Sequence, residues 1–128
     1  MIVGIGCDIC NIARITEVWR KFGNRFVKRT CSVAEQAELV KAKNFDQYIA
    51  NLAKFFAAKE AFVKAVGTGF RYGIQFAEIE VLPDALGKPE LKVSGTAAEF
   101  ANKLGVKNLM ISLADDYPFA QAMVVLEK

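Results

Sequence analysis

Apolar and small or polar residues alternate over Ile2–Ile9, with Val3, Ile5 and Cys7 on one side and Ile2, Gly4, Gly6 and Asp8 on the other. That period of two predicts a strand beginning near the first residue. The two glycines on Asp8's side imply that another backbone comes close there. Arg14 to about Phe22 reads as a helix broken by Gly23-Asn24. Ser32-Val-Ala-Glu35 has the form of a capping box, Ser32 at N-cap and Glu35 at N3, opening a helix to about Lys43. The main helix is predicted from about Asp46 to Val66. It is apolar nearly all round, as buried helices are, and Gly67 suits a left-handed cap at its end.

Beyond Gln75 the period returns to two. Phe76–Leu82 is predicted as a strand, Pro83–Pro89 as a turn and Leu91–Val93 as a short strand. Ala97–Leu104 is an amphipathic helix stopped by Gly105. Leu109–Ala114 and Ala120–Glu127 close the chain as a hairpin around Asp115-Asp116-Tyr117-Pro118. The order predicts an α+β fold, a mostly antiparallel sheet packed on one long helix. With 128 residues and neither repeat nor linker, residues 1–128 are expected to form a single domain.

Within the main helix, Phe55–Gly69 (FFAAKEAFVKAVGTG) sets Glu60 and Lys64 four residues apart, on one face, among apolar neighbours. Charges there need a partner, metal or ligand. Asp8 and Glu60 are the acids that context places in strongly apolar surroundings, and two such carboxylates from separate elements suit a hard cation, typically magnesium. A lysine one turn away and the Gly67-Thr68-Gly69 loop, offering backbone N–H groups, complete a set suited to phosphoryl transfer. The bland alternative, an internal Glu60–Lys64 ion pair with a strand-end Asp8, weighs about equally on physics alone.

The remaining composition narrows the chemistry. The chain has no His, so any acid–base work falls to carboxylate, lysine, tyrosine or metal-bound water. Cys7 and Cys10 form a C-x-x-C, but the only further thiol is Cys31. Buried structural thiols are expected rather than a redox or zinc site. No apolar run approaches a membrane span and no signal peptide is legible at the start, so a cytoplasmic protein is expected. The net charge of +3 hides a basic stretch in which Arg14, Arg20, Lys21, Arg25, Lys28 and Arg29 face only Glu17. It reads as a solvated helix face or as a docking surface for an acidic protein or nucleic acid.

GIGCDICNIARI near the start and FAAKEAFVKAVGTG in the middle resemble the two signature motifs of the phosphopantetheinyl transferases, specifically the small bacterial holo-[acyl-carrier-protein] synthases. Phe26–Arg29, Phe76–Val81, Gly87-Lys88-Pro89 and ISLADDYPFAQAMVVLE extend the likeness over nearly the whole chain. The resemblance implies transfer of the 4'-phosphopantetheine of coenzyme A to a serine of an acyl carrier protein, in a homotrimer with sites between subunits. It implies magnesium, or manganese in its place, on Asp8 and Glu60, and Lys64 on the pyrophosphate; Glu60, directly or through metal-bound water, is the candidate for removing the serine proton. Lys59, Gly67, Thr68 and Gly69 match positions near the substrate phosphates; Lys88, Pro89 and Asp115 match segments that approach the nucleotide. Arg14, Lys21 and Arg25 match the family's surface that docks the acidic carrier protein. Two departures stand out. Ala114-Asp115 replaces the family's Ser/Thr-His, which would leave Asp115 near a phosphate with no obvious cation, and Phe55 replaces an Arg, with Lys54 beside it. The rival reading is a non-catalytic basic module binding nucleic acid through Arg14–Arg29. Against it, Trp19, Phe22 and Phe26 have the spacing of a buried stripe.

Overall fold

A computed structural model of the protein describes residues 1–128. The first strand, β1, runs Ile2–Asn11, and the side chain of Asn11 caps the next helix, α1 (Ile12–Phe22), by accepting from Ala13 N at 2.9 Å. Gly23, at φ 57°, turns the chain directly into a helix absent from the sequence reading, α2 (Asn24–Thr30). Its seven residues bury only Val27 and Thr30 and otherwise look like a charged loop. The capping box forms as expected at the start of α3 (Val33–Leu39), with both Ser32 and Glu35 engaged. That helix stops short of Lys43. The chain there is used to cap α4 (Phe45–Val66) instead: Asn44 Oδ1 accepts from Gln47 N, and Gln47 Oε1 accepts from Lys43 N, each at 2.8 Å. Gly67 ends α4 at φ 90°.

After a 3₁₀ turn at Phe76–Glu78, where a strand start was expected, β2 (Ile79–Pro83) pairs with β3 (Pro89–Val93). Helix α5 (Gly95–Lys103) precedes the hairpin of β4 (Asn108–Asp116) and β5 (Phe119–Glu127). All pairings are antiparallel, in a three-stranded sheet ordered β1-β5-β4 and the β2-β3 ribbon. The α+β expectation holds, with the sheet in two pieces.

Helix α4 lies across β1 and β5. Ala120, Ala122, Val124 and Leu126 on β5 and Leu52, Ala53, Ala57, Ala58, Ala61 and Phe62 on α4 are completely buried. On β1 the inward residues are the small ones. A Cβ added to Gly6 would meet the Ala61 carbonyl and lie 2.8 Å from Ala65 N, and one on Gly4 would meet the Ala65 carbonyl. The glycines therefore let the helix backbone rest directly on the strand, as their place beside Asp8 implied. The opposite face of β1 is uncovered: Ile5 is 62% and Ile9 63% exposed.

Candidate active site

The close approach of α4 to β1 brings Asp8 beside Glu60 and Lys64. Lys64 Nζ donates to Asp8 Oδ1 at 2.9 Å and to the Cys7 carbonyl at 3.0 Å. Its ammonium is held above the ordinary lysine range chiefly by the hydrogen bond to Asp8. Glu60 is half-buried and has no ion-pair partner. Burial raises its pKa first, the neighbouring Asp8 charge raises it further, and Lys64 opposes both. The lysine thus bonds the strand carboxylate across the interface, and the internal Glu60–Lys64 ion pair of the bland reading is not formed.

A cavity of about 380 Å³ opens on this pair, walled by Asp8, Glu60, Asn11 and Arg14 together with apolar residues that include Ile15, Val18, Phe26 and Phe56. Two carboxylates face one hollow, and Glu60, whose pKa is raised, makes no ion pair. That donor set suits a hard divalent cation, which favours oxygen ligands and relieves like-charge repulsion. No third Asp, Glu, Cys or His joins them, so remaining coordination positions fall to substrate oxygens or water.

Several expectations are corrected. Lys59 does not face the cavity. It is completely buried, and its Nζ donates to Glu35 Oε1 at 2.6 Å, Phe76 O at 3.0 Å and Ile79 O at 2.7 Å. An ammonium carries three hydrogens, so none remains for a phosphate. The charge that α4 buries is therefore this one, and Lys64 is exposed. Glu35, completely buried, is an acid in apolar surroundings that the sequence hid inside a capping box.

The Gly67-Thr68-Gly69 loop is no open phosphate cradle either. The N–H groups of Gly67, Thr68 and Gly69 all point back to the Val63 carbonyl, at 3.0, 3.1 and 3.2 Å. They satisfy the C-terminus of α4, whose dipole repels anions.

Asp115 also has a cation: Lys54 Nζ lies 2.8 Å from its Oδ1. This pair lines a cavity of about 640 Å³ with Asn51 and Tyr117. Lys54 also reaches a second hollow of about 270 Å³ bounded by Phe55, Gly87 and Pro89. Lys88 is exposed beside that hollow, its N–H bonded to Asp84 Oδ1 at 2.9 Å. Arg14, Lys21 and Arg25 are all exposed on α1 and α2, and Lys21 and Arg25 flank the Phe22 ring at 5.4 and 5.8 Å. Of the C-x-x-C pair, Cys10 is buried and Cys7 exposed, on opposite sides of β1, so the two cannot act together and only Cys10 and Cys31 are buried thiols.

The α+β fold of this chain is shared with known enzymes. Residues 4–122 match the model of the 4'-phosphopantetheinyl transferase superfamily. A holo-[acyl-carrier-protein] synthase of Zymomonas mobilis is 46% identical, with 99% of this chain and 97% of that protein covered. The crystal structure of the holo-[acyl-carrier-protein] synthase of Neisseria meningitidis superposes over the full length of both chains with a TM-score of 0.90 at 40% identity. That of Bacillus anthracis, in complex with CoA (3',5'-ADP), gives a TM-score of 0.81 at 36% identity, covering 98% of this chain and 96% of that one. The chain belongs to the 4'-phosphopantetheinyl transferase superfamily, as its two motifs implied. Its reaction class is transfer of a 4'-phosphopantetheinyl group.

Proposed function

We propose that residues 1–128 act as one holo-[acyl-carrier-protein] synthase domain, moving 4'-phosphopantetheine from coenzyme A to a serine of an apo acyl carrier protein. The observation that carries the site assignment is the meeting of Asp8, Glu60 and Lys64 at one cavity, in a chain belonging to this family. The serine oxygen bonds to the β-phosphorus as the pyrophosphate P–O bond breaks, and adenosine 3',5'-bisphosphate leaves. Glu60, the carboxylate that makes no ion pair, takes the serine proton. Lys64 shifts from Asp8 to meet negative charge growing on the bridging oxygen. Asp8 and Glu60 would hold magnesium, or manganese in its place, which when bound neutralises pyrophosphate charge.

Coenzyme A would meet Lys54, Asp115, Lys88 and Pro89 at sites between subunits, where Lys54 borders two further hollows. The exposed cations of α1 and α2 would dock the acidic carrier protein, an attraction that weakens as salt screens it over ~8 Å at physiological ionic strength. Ile5, Ile9, Met110, Phe119 and Met123 leave the outer sheet face apolar and exposed. Such a face suits burial between copies, here a homotrimer. No helix is long and apolar enough to cross a membrane, and with all three cysteines free the reading places the protein in the cytoplasm. Nucleic acid fits less well: Trp19 and Phe26 pack against the core, leaving only Phe22 among the basic residues as an exposed ring. The test is conversion of apo carrier protein by this chain with coenzyme A and magnesium. Asp8→Asn, Glu60→Gln or a chelator is expected to lower the rate at least ~100-fold with the fold intact.

A further inference from the structure

The residue before Glu60 is the most deeply engaged charge in the molecule. Lys59 and Glu35 are both completely buried. Besides the lysine, Glu35 Oε1 accepts from Ser32 N at 2.8 Å and Oε2 from Val81 N at 2.9 Å. With the two carbonyls that Lys59 also reaches, this network ties the middle of α4 to the start of α3 and to the segment entering β2. As a source of stability the pair is a poor choice, since apolar residues of similar volume often serve a buried site equally well or better.

What the network supplies is a fixed orientation. Apolar contact tolerates sliding and rotation of a helix, whereas hydrogen bonds on three sides of one ammonium do not. On its other side α4 rests on glycines, which set how near the helix comes, and the side-chain hydrogen bonds it makes to β1 run from the exposed Lys64. Successive helical residues point about 100° apart, so fixing Lys59 fixes the direction of Glu60. We infer that Lys59 and Glu35 are positioning residues that hold the Glu60 carboxylate against Asp8. The inference rests on the assignment of Asp8 and Glu60 as the cation-binding pair.

Removing Lys59 alone would strand a buried carboxylate, so the test is the neutral pair Glu35→Gln with Lys59→Met, which removes both charges and leaves one Glu35 position able to accept a backbone N–H. The expected result is a folded protein whose Mn²⁺ affinity, read by electron paramagnetic resonance without coenzyme A, and whose kcat each fall about tenfold or more. The KM for carrier protein should stay unchanged, because α1 and α2 are untouched. A folded double variant with wild-type Mn²⁺ affinity and kcat would overturn the inference and leave the pair a purely structural one. If the double variant does not fold, Glu35→Asp decides: it keeps both charges and withdraws the carboxylate by one methylene, so the same losses are expected, and wild-type values would refute. Asp8→Asn separates the two levels. Undiminished Mn²⁺ binding in that variant would overturn the cation site itself, and this inference with it.

Discussion

A side chain at Gly6 would collide with the backbone carbonyl of Ala61, one residue from Glu60. Gly6 and Asp8 share the inner face of β1, paired to Val124 and Ala122 of β5. The contact that seats α4 on the strand is therefore the one that brings Asp8 to Glu60 and Lys64. Gly6→Ala should force the backbones apart, lowering stability by ~1–3 kcal/mol and reducing activity well below the melting temperature. Urea unfolding and transfer rates measured together check this; a stable variant of full activity would refute it.

Lys64 sits on Asp8 as a counter-cation. In Lys64→Met the ammonium no longer competes for that carboxylate, so Mn²⁺ should bind more tightly in the absence of coenzyme A. The same change should lower kcat by ~100-fold, with a smaller effect on coenzyme A affinity, because the charge is needed most where negative charge develops. Weaker Mn²⁺ binding, or a rise in KM at constant kcat, would count against this role.

The Lys54–Asp115 pair gives a prediction for coenzyme A binding. Asp115 neutralises a lysine that borders both hollows. Asp115→Asn frees that charge, and for a half-exposed pair the gain in coenzyme A affinity should be about twofold to fivefold. Lys54→Met should weaken binding. Calorimetric titration with coenzyme A distinguishes these outcomes from an Asp115 that is merely solvated, where Asp115→Asn would change nothing.

The buried Cys31 thiol makes stability fall at high pH. Burial, and then the Glu35 charge, push its pKa from 9.0 up to about 11, against the pull of Lys59 and the Thr30 hydrogen bond. Above the unfolded pKa the native state holds the extra proton, so stability is fully present below about pH 9 and is lost as pH rises toward about 11. A shift of about two units corresponds to at most ~3 kcal/mol. Urea unfolding from about pH 8 to pH 10.5 should show this loss in the wild type and less of it in Cys31→Ala. Parallel curves would exclude it.

Signals that act locally were legible in the sequence. Ser32 and Glu35 cap α3, Gly67 ends α4 in the left-handed region, and the alternation around Asp115–Pro118 gives the closing hairpin. Asp8, Glu60 and Lys64 were legible because each breaks an apolar context. What was not legible depended on packing choices made far along the chain. Helix α2 buries too few residues to leave a periodic trace. Lys59 and Lys64 look alike in sequence, and only the arrival of Glu35, Phe76 and Ile79 decides which is buried. The inward face of β1, by contrast, was legible from Gly4 and Gly6, which admit a backbone where Ile5 and Cys7 could not.

The most direct test of the central claim is intact-mass spectrometry of an apo acyl carrier protein incubated with this protein, coenzyme A and magnesium. The expected result is a gain of one 4'-phosphopantetheinyl group on the carrier's serine, release of adenosine 3',5'-bisphosphate, and neither product with Asp8→Asn or in chelator. An unchanged carrier mass with wild-type protein, or an undiminished gain with Asp8→Asn, would contradict it.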